Sequence, residues 1–162
     1  MIKRLITLTC VVLGALTSVS APAIVERQTF AVSVTVPTAE FYVIPVDPGW
    51  IGREQKLHWN LTSEQLSPLR KHFDVRNSNG AIAARLSMEP YLSNGRDGNN
   101  IALAVRFNRT RLTVDNTEVI SQLDGKTGKR VELEIAAIKP NGGYQPGDYH
   151  GSVHMIFEAI AP

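Results

Sequence analysis

Cysteine is almost missing from this chain. The 162 residues hold one, Cys10, so no intramolecular disulfide and no paired-cysteine metal knuckle can form. A long apolar run is missing too. The longest, Leu5–Leu16, carries threonines and falls short of the ~20 residues that a membrane-spanning helix needs. Charge of one sign is scarce, with 17 Lys and Arg against 15 Asp and Glu. That balance leaves no basic field for nucleic acid or an anionic membrane. A G-x-S-x-G, an H-E-x-x-H and a P-loop are all absent, so no familiar catalytic frame is present. Helical periodicity is scarce as well. Ser63-Glu-Gln-Leu66 is the one helical hint, and Pro68 would stop it within a turn.

The first 23 residues form a targeting pattern. Lys3-Arg4 is a short basic start, Leu5–Leu16 an apolar centre, and Ser18–Ala23 a small-residue stretch with Ala21 and Ala23 before the cut. We therefore expect residues 1–23 to be a signal peptide cleaved after Ala23. Its loss takes Cys10, two of the 17 basic residues and no acid, leaving 139 residues with 15 charges of each sign. The exported chain is then neutral and free of cysteine. Its length suits one domain, whose core must hold without staples.

What is present is a period of two. Phe30, Val32, Val34 and Val36 share a face of Thr29–Val36. Phe41–Ile44, Lys56–Leu61 and His72–Val75 are further extended runs, and Ile82, Ala84, Leu86 and Met88 alternate with more polar neighbours. Ile101, Leu103, Val105 and Phe107 repeat the pattern, Val131–Ala137 repeats it again, and Tyr149, Gly151, Val153, Met155 and Phe157 line one side of the last segment. Side chains two apart share a face only in a strand. Asn77–Gly80, Ser93–Asn100, Asp124–Gly128 and Asn141–Gly143 lie between these runs and supply turn chemistry. The expectation is one all-β domain, a sandwich or a barrel.

Candidate chemistry is sparse. His150 and His154 share a strand face but lie about 13 Å apart, too far for one metal ion without help from His58 or His72. Glu132 and Glu134 sit about 7 Å apart and are expected on the wet side of a sheet. Asn60-Leu-Thr62 and Asn108-Arg-Thr110 match the glycosylation sequon at strand ends, where turn chemistry is the plainer use. Trp50, Trp59, Tyr42 and Tyr91 offer either core packing or a sugar-stacking surface. We expect no enzyme, no metal and no cofactor. Thr29–Val36 is by pattern either the first strand of an intact sandwich or a strand lent to a neighbouring molecule.

Three motifs decide how the chain is placed. They are Val25-Glu-Arg27 with the alternating strand up to Pro37, Leu86-Ser-Met-Glu-Pro-Tyr-Leu-Ser93, and Gly147-Asp-Tyr149-His-Gly151-Ser-Val153. In this order, behind a signal peptide, they resemble the major-subunit pilins of class 5 (colonisation-factor-antigen type) fimbriae of the alternate chaperone–usher pathway. The resemblance implies an immunoglobulin-like β-sandwich lacking its final strand. It implies residues 24–37 as an N-terminal extension and 38–162 as the pilin domain. Phe30, Val32, Val34 and Val36 become the donor strand, and Tyr149, Gly151, Val153, Met155 and Phe157 the edge that meets chaperone or neighbour. Partners would be neighbouring subunits, a periplasmic chaperone, an outer-membrane usher and a tip adhesin, with no nucleic acid. The product would be a fimbrium on the bacterial surface. The register stays open, because Val36 stands before Pro37 where the family has Asp, and a one-residue slip exposes the opposite face. The alternative is a complete, secreted, monomeric β-sandwich that binds carbohydrate or protein.

Overall fold

The computed structural model describes residues 40–161. Thr29–Val36, with the signal-peptide and extension boundaries, lies outside the described residues. Eleven strands run in chain order: β1 Phe41–Pro45, β2 Trp59–Asn60, β3 Gln65–Leu66, β4 Leu69–Asn77, β5 Ala81–Leu86 and β6 Tyr91–Leu92, then β7 Ile101–Phe107, β8 Thr110–Arg111, β9 Thr117–Ile120, β10 Lys129–Ala137 and β11 Met155–Ile160. One short helix, α1 Gln122–Thr127, precedes β10.

The strands form two main layers. One sheet has the order β1-β4-β10-β7-β6, with β8 paired to β7, and the other the order β11-β5-β9. All pairings in them are antiparallel. Reading β1, β4, β10 and β7 as A, B, E and D, and β5 and β11 as C and F, gives the immunoglobulin-type arrangement. A complete sandwich of that kind places a G strand beside F. Among the described residues β11 has one strand neighbour, β5.

The alternating faces meet between the layers. Phe73 and Val75 of β4, Val105 and Phe107 of β7, and Val131 and Leu133 of β10 face Ile82, Ala84 and Leu86 of β5. Phe107 is fully buried and joins the layers, its ring 5.6 Å from Phe73 and 4.8 Å from Phe157 of the opposite sheet. Asn77 is the one buried polar residue among those described. Its Nδ2 donates to the carbonyls of Ala81 (2.7 Å) and Ile160 (3.4 Å), and its Oδ1 accepts from Asn79 N (3.2 Å). The turn between β4 and β5 is thereby tied to the end of β11.

Four local expectations need correction. The helical hint at Ser63–Leu66 is the end of the β2–β3 turn followed by β3 itself, with Glu64 at φ 50° and Leu66 opposite Trp59. Asp124–Gly128, expected as a turn, belongs to α1 and its cap. Ser121 Oγ accepts from Asp124 N (3.3 Å), and Gly128 ends the helix at φ 77°. Six residues are too few for a helical period to be read. Met88 lies past the end of β5 and is exposed rather than on the core face.

The last strand begins at Met155, not at Tyr149. Residues 147–154 instead cross from one layer to the other. His150 and Ser93 exchange backbone hydrogen bonds of 2.8 and 2.9 Å beside β6, and four residues later Ser87 N donates to His154 O (3.0 Å) beside β5. The Gly-x-Tyr-x-Gly-x-Val spacing suits that crossing. Gly147 adopts φ 156°, and the Tyr149 hydroxyl donates to Gln145 O at 3.0 Å. Gly151 passes so near the Tyr91 carbonyl that a Cβ would collide with it. Val153 then turns in against the core. The sequence alternation here comes from a backbone switching sheets.

Candidate functional site

Edge strands are where a sheet can take on another chain, because their outer N–H and C=O groups lack a ladder partner. Among the described residues β11 is such an edge. Its inner side pairs with β5 from Met155 opposite Leu86 to Ile160 opposite Ala81. Met155 and Phe157 pack half-buried on the core, and Glu158 points outward, 3.5 Å from Arg85 and accepting from Asn116 Nδ2 at 2.8 Å. Among the described residues β1 is an outermost strand of the facing sheet, and its Phe41 and Val43 pack half-buried on the same core cluster.

Trp50 adds a second feature. It follows a short 3-10 turn, Pro48–Trp50, capped by Asp47 Oδ1 accepting from Gly49 N at 2.9 Å. Its ring sits edge-on to Phe73 at 6.0 Å, with the Lys71 ammonium 5.4 Å from its centroid. Its Nε1 is buried and has no hydrogen-bond partner among the described residues. A buried donor without an acceptor is costly, which makes this indole a place where an incoming carbonyl is favoured.

The other candidate residues have structural uses. Glu132 and Glu134 lie on the outer face of the large sheet, as expected, and are held by arginines. Arg70 lies 3.6 Å from Glu132 and 2.6 Å from Glu134, and Arg106 lies 2.9 Å from Glu134. The Arg70 hydrogen bond holds the Glu134 carboxyl below the usual range, against the opposing effect of burial. Arg130 lowers Asp74 in the same way through a bidentate contact of 2.8 and 2.9 Å. All four histidines are exposed, and no group of three metal-ligating side chains occurs among the described residues. Asn60 Oδ1 accepts from Thr62 N (2.9 Å) and Ser63 N (3.0 Å), and Asn108 Nδ2 donates to Val119 O (2.7 Å). Both sequon asparagines thus serve turns.

Nor do the four candidate aromatics form one surface. Trp50 packs on the core, Tyr42 lies on β1, and Tyr91 is exposed on β6. Trp59 pairs instead with Tyr144, at 5.4 Å between centroids and 85° between planes. Tyr144 stands in a Gly-rich loop with no periodicity around it, so no sequence signal marked it.

The comparisons agree with this geometry. A family model described as CS1 type fimbrial major subunit matches residues 26–158. No curated protein matches the chain. Among solved structures, the CooA pilin subunit from enterotoxigenic Escherichia coli superposes with a TM-score of 0.57 at 19% identity, over 72% of this chain and 86% of that one. At that identity the likeness speaks for the fold.

Proposed function

The chain belongs to the CS1 type fimbrial major subunit family, a structural subunit of a surface fimbrium, and from that premise we propose that it polymerises by donor-strand exchange. Phe30, Val32, Val34 and Val36 of one subunit enter the apolar gap beside β11 of the next. There the donor strand takes the G position against Met155 and Phe157, and one of its carbonyls accepts from Trp50 Nε1. Residues 1–23 direct export through the periplasm and are removed, 24–37 are the extension, and 38–162 form the acceptor domain. A periplasmic chaperone covers the gap first, an outer-membrane usher exchanges it for the neighbour, and a tip adhesin heads the filament.

The observation that carries this proposal is that, among the described residues, β11 pairs on one side only, over a half-buried apolar strip. Support also comes from the family match, which begins at residue 26 and so takes in the donor segment. The magnitudes are adequate. Burying four apolar side chains is worth about 1.5–3 kcal/mol each, roughly 6–12 kcal/mol in all. A small domain's whole stability is about 5–15 kcal/mol, so a missing strand decides whether it stands alone. A contact of this head-to-tail kind does not close on itself and generates a filament.

The test compares the exported chain with one lacking residues 24–36. The full chain is expected to form oligomers. The truncated chain should aggregate unless a synthetic peptide of residues 24–37 is supplied, and it should become a soluble monomer when the peptide binds. A truncated chain that is stable, soluble and monomeric without chaperone or peptide refutes strand exchange.

A further inference from the structure

Away from the β11 edge, the β2–β3 hairpin and the loop leading into the sheet crossing enclose a cleft of about 720 Å³. That volume lies within the range of small-molecule sites, roughly 300–1,000 Å³. Trp59 forms one wall and is 44% exposed, unlike Trp50, which is spent on the core. Tyr144 and Tyr149 line the cleft with it, and Glu54, Lys56 and Asp148 supply charged groups around them.

The aromatic walls are held in place. Tyr144 meets the Trp59 ring edge-on at 5.4 Å and is half-buried. Tyr149 is fixed by its bond to Gln145 O, and the close pass of Gly151 at Tyr91 anchors the chain just beyond. A mixed, pre-formed cleft with an exposed indole differs from a scattered surface aromatic, which calls for no explanation.

We infer that this cleft binds a neutral saccharide unit, with Trp59 as its stacking platform. The π face of an indole is negative and attracts the polarised C–H groups on one face of a pyranose ring. The Glu54 and Asp148 carboxylates accept hydrogen bonds from sugar hydroxyls, and Lys56 donates. Two acids against one lysine disfavour a sialylated or phosphorylated ligand, which needs a basic excess. The inference does not depend on strand exchange, since none of these residues belongs to β11. In a filament the site would recur once per subunit, so weak individual binding would rise in avidity by roughly 10²–10⁴-fold.

The purified full-length chain tests this by ligand-observed saturation-transfer NMR against D-galactose, N-acetyl-D-glucosamine and lactose, with sialyllactose as the anionic probe. At least one neutral sugar should give a saturable change with a Kd of about 1–10 mM, the weak range expected for so few contacts. Trp59→Ala should abolish the response, Trp59→Phe should retain part of it, and Asp148→Asn should weaken binding several-fold. All these variants should still oligomerise, which separates failure here from failure of the strand-exchange mechanism. No saturable response to any neutral sugar, a response undiminished in Trp59→Ala, or a response to sialyllactose alone overturns the inference.

Discussion

Asn77 gives the sharpest test of how this sandwich holds its edge strand. The side chain is 2% exposed, and its amide nitrogen reaches two carbonyls on different strands, Ala81 O on β5 and Ile160 O on β11. Asn77→Ala removes that donor and the Oδ1 that accepts from Asn79. Leaving a buried carbonyl unpaired costs about 1–3 kcal/mol, and losing the turn bond adds about 1 kcal/mol. Asn77→Asp keeps the shape but sets a carboxylate against those carbonyls in place of a donor. An uncompensated buried charge costs about 3–5 kcal/mol, so the aspartate should be worse than the alanine at neutral pH. Acid separates the two. The aspartate's folded-state pKa is raised above its unfolded value of about 3.9, so protonation restores a donor and stability returns as pH falls through the raised value. Urea denaturation of the full chain, followed by tryptophan fluorescence from neutral pH down to about pH 5, reads the effect. The gap between Asn77→Asp and wild type should narrow by up to about 1.4 kcal/mol per pH unit, while the Asn77→Ala gap stays constant. An aspartate variant within about 1 kcal/mol of wild type at neutral pH refutes the assigned bonding, as does a gap that ignores pH.

Two further outcomes follow from the described contacts. Gly151→Ala forces a Cβ onto the Tyr91 carbonyl and should cost about 1–3 kcal/mol, whereas Gly142→Ala, with open space around it, should stay within about 0.5 kcal/mol by thermal melting. Because Arg70 lowers the Glu134 pKa, its contribution is present above the unfolded value of about 4.3 and lost as pH falls through the lower folded value. Glu134→Gln should therefore change stability by less than about 1 kcal/mol at neutral pH and flatten the acid limb of the pH–stability curve; an unchanged limb refutes the pairing.

The strands that were legible in the sequence are those whose two faces have different fates. β7 and β10 alternate because one side meets the core and the other meets water, so Ile101, Leu103, Val105 and Phe107 declare themselves. β5 alternates less, since Ala81, Ala83 and Gly80 are also buried where β11 and α1 crowd against it. The motif Gly147–Val153 was visible as a pattern, yet its period of two was misleading. The glycine and tyrosine spacing answers to a carbonyl of β6 and a loop bond rather than to strand pairing. Trp59 was visible but its partner was not, because Tyr144 is brought to it by a loop that carries no local signal. Charge placement was easier. Glu132 and Glu134 sit on the wet face as their alternation requires, though the arginines that meet them come from β4 and β7, which only topology brings together.

The absence of cysteine beyond Cys10 bears on assembly as well as on stability. If the sandwich lacks one core strand, as proposed, a domain of this size could recover the deficit with a disulfide, worth about 2–4 kcal/mol. Such a staple would strengthen the domain without covering the β11 edge, whose outer main chain has no strand partner among the described residues and is a template for aggregation. A strand from another molecule addresses both at once, because it adds apolar burial against Met155 and Phe157 and pairs the exposed ladder. Under the strand-exchange proposal stability becomes a property of contact between subunits, and the unassembled subunit is expected to be the unstable species. Asn77 sits where that linkage is felt, since it holds the far end of β11 to the β4–β5 turn. A lesion there loosens the acceptor edge itself, so it should lower filament yield by more than an equally destabilising lesion on the outer face of the large sheet.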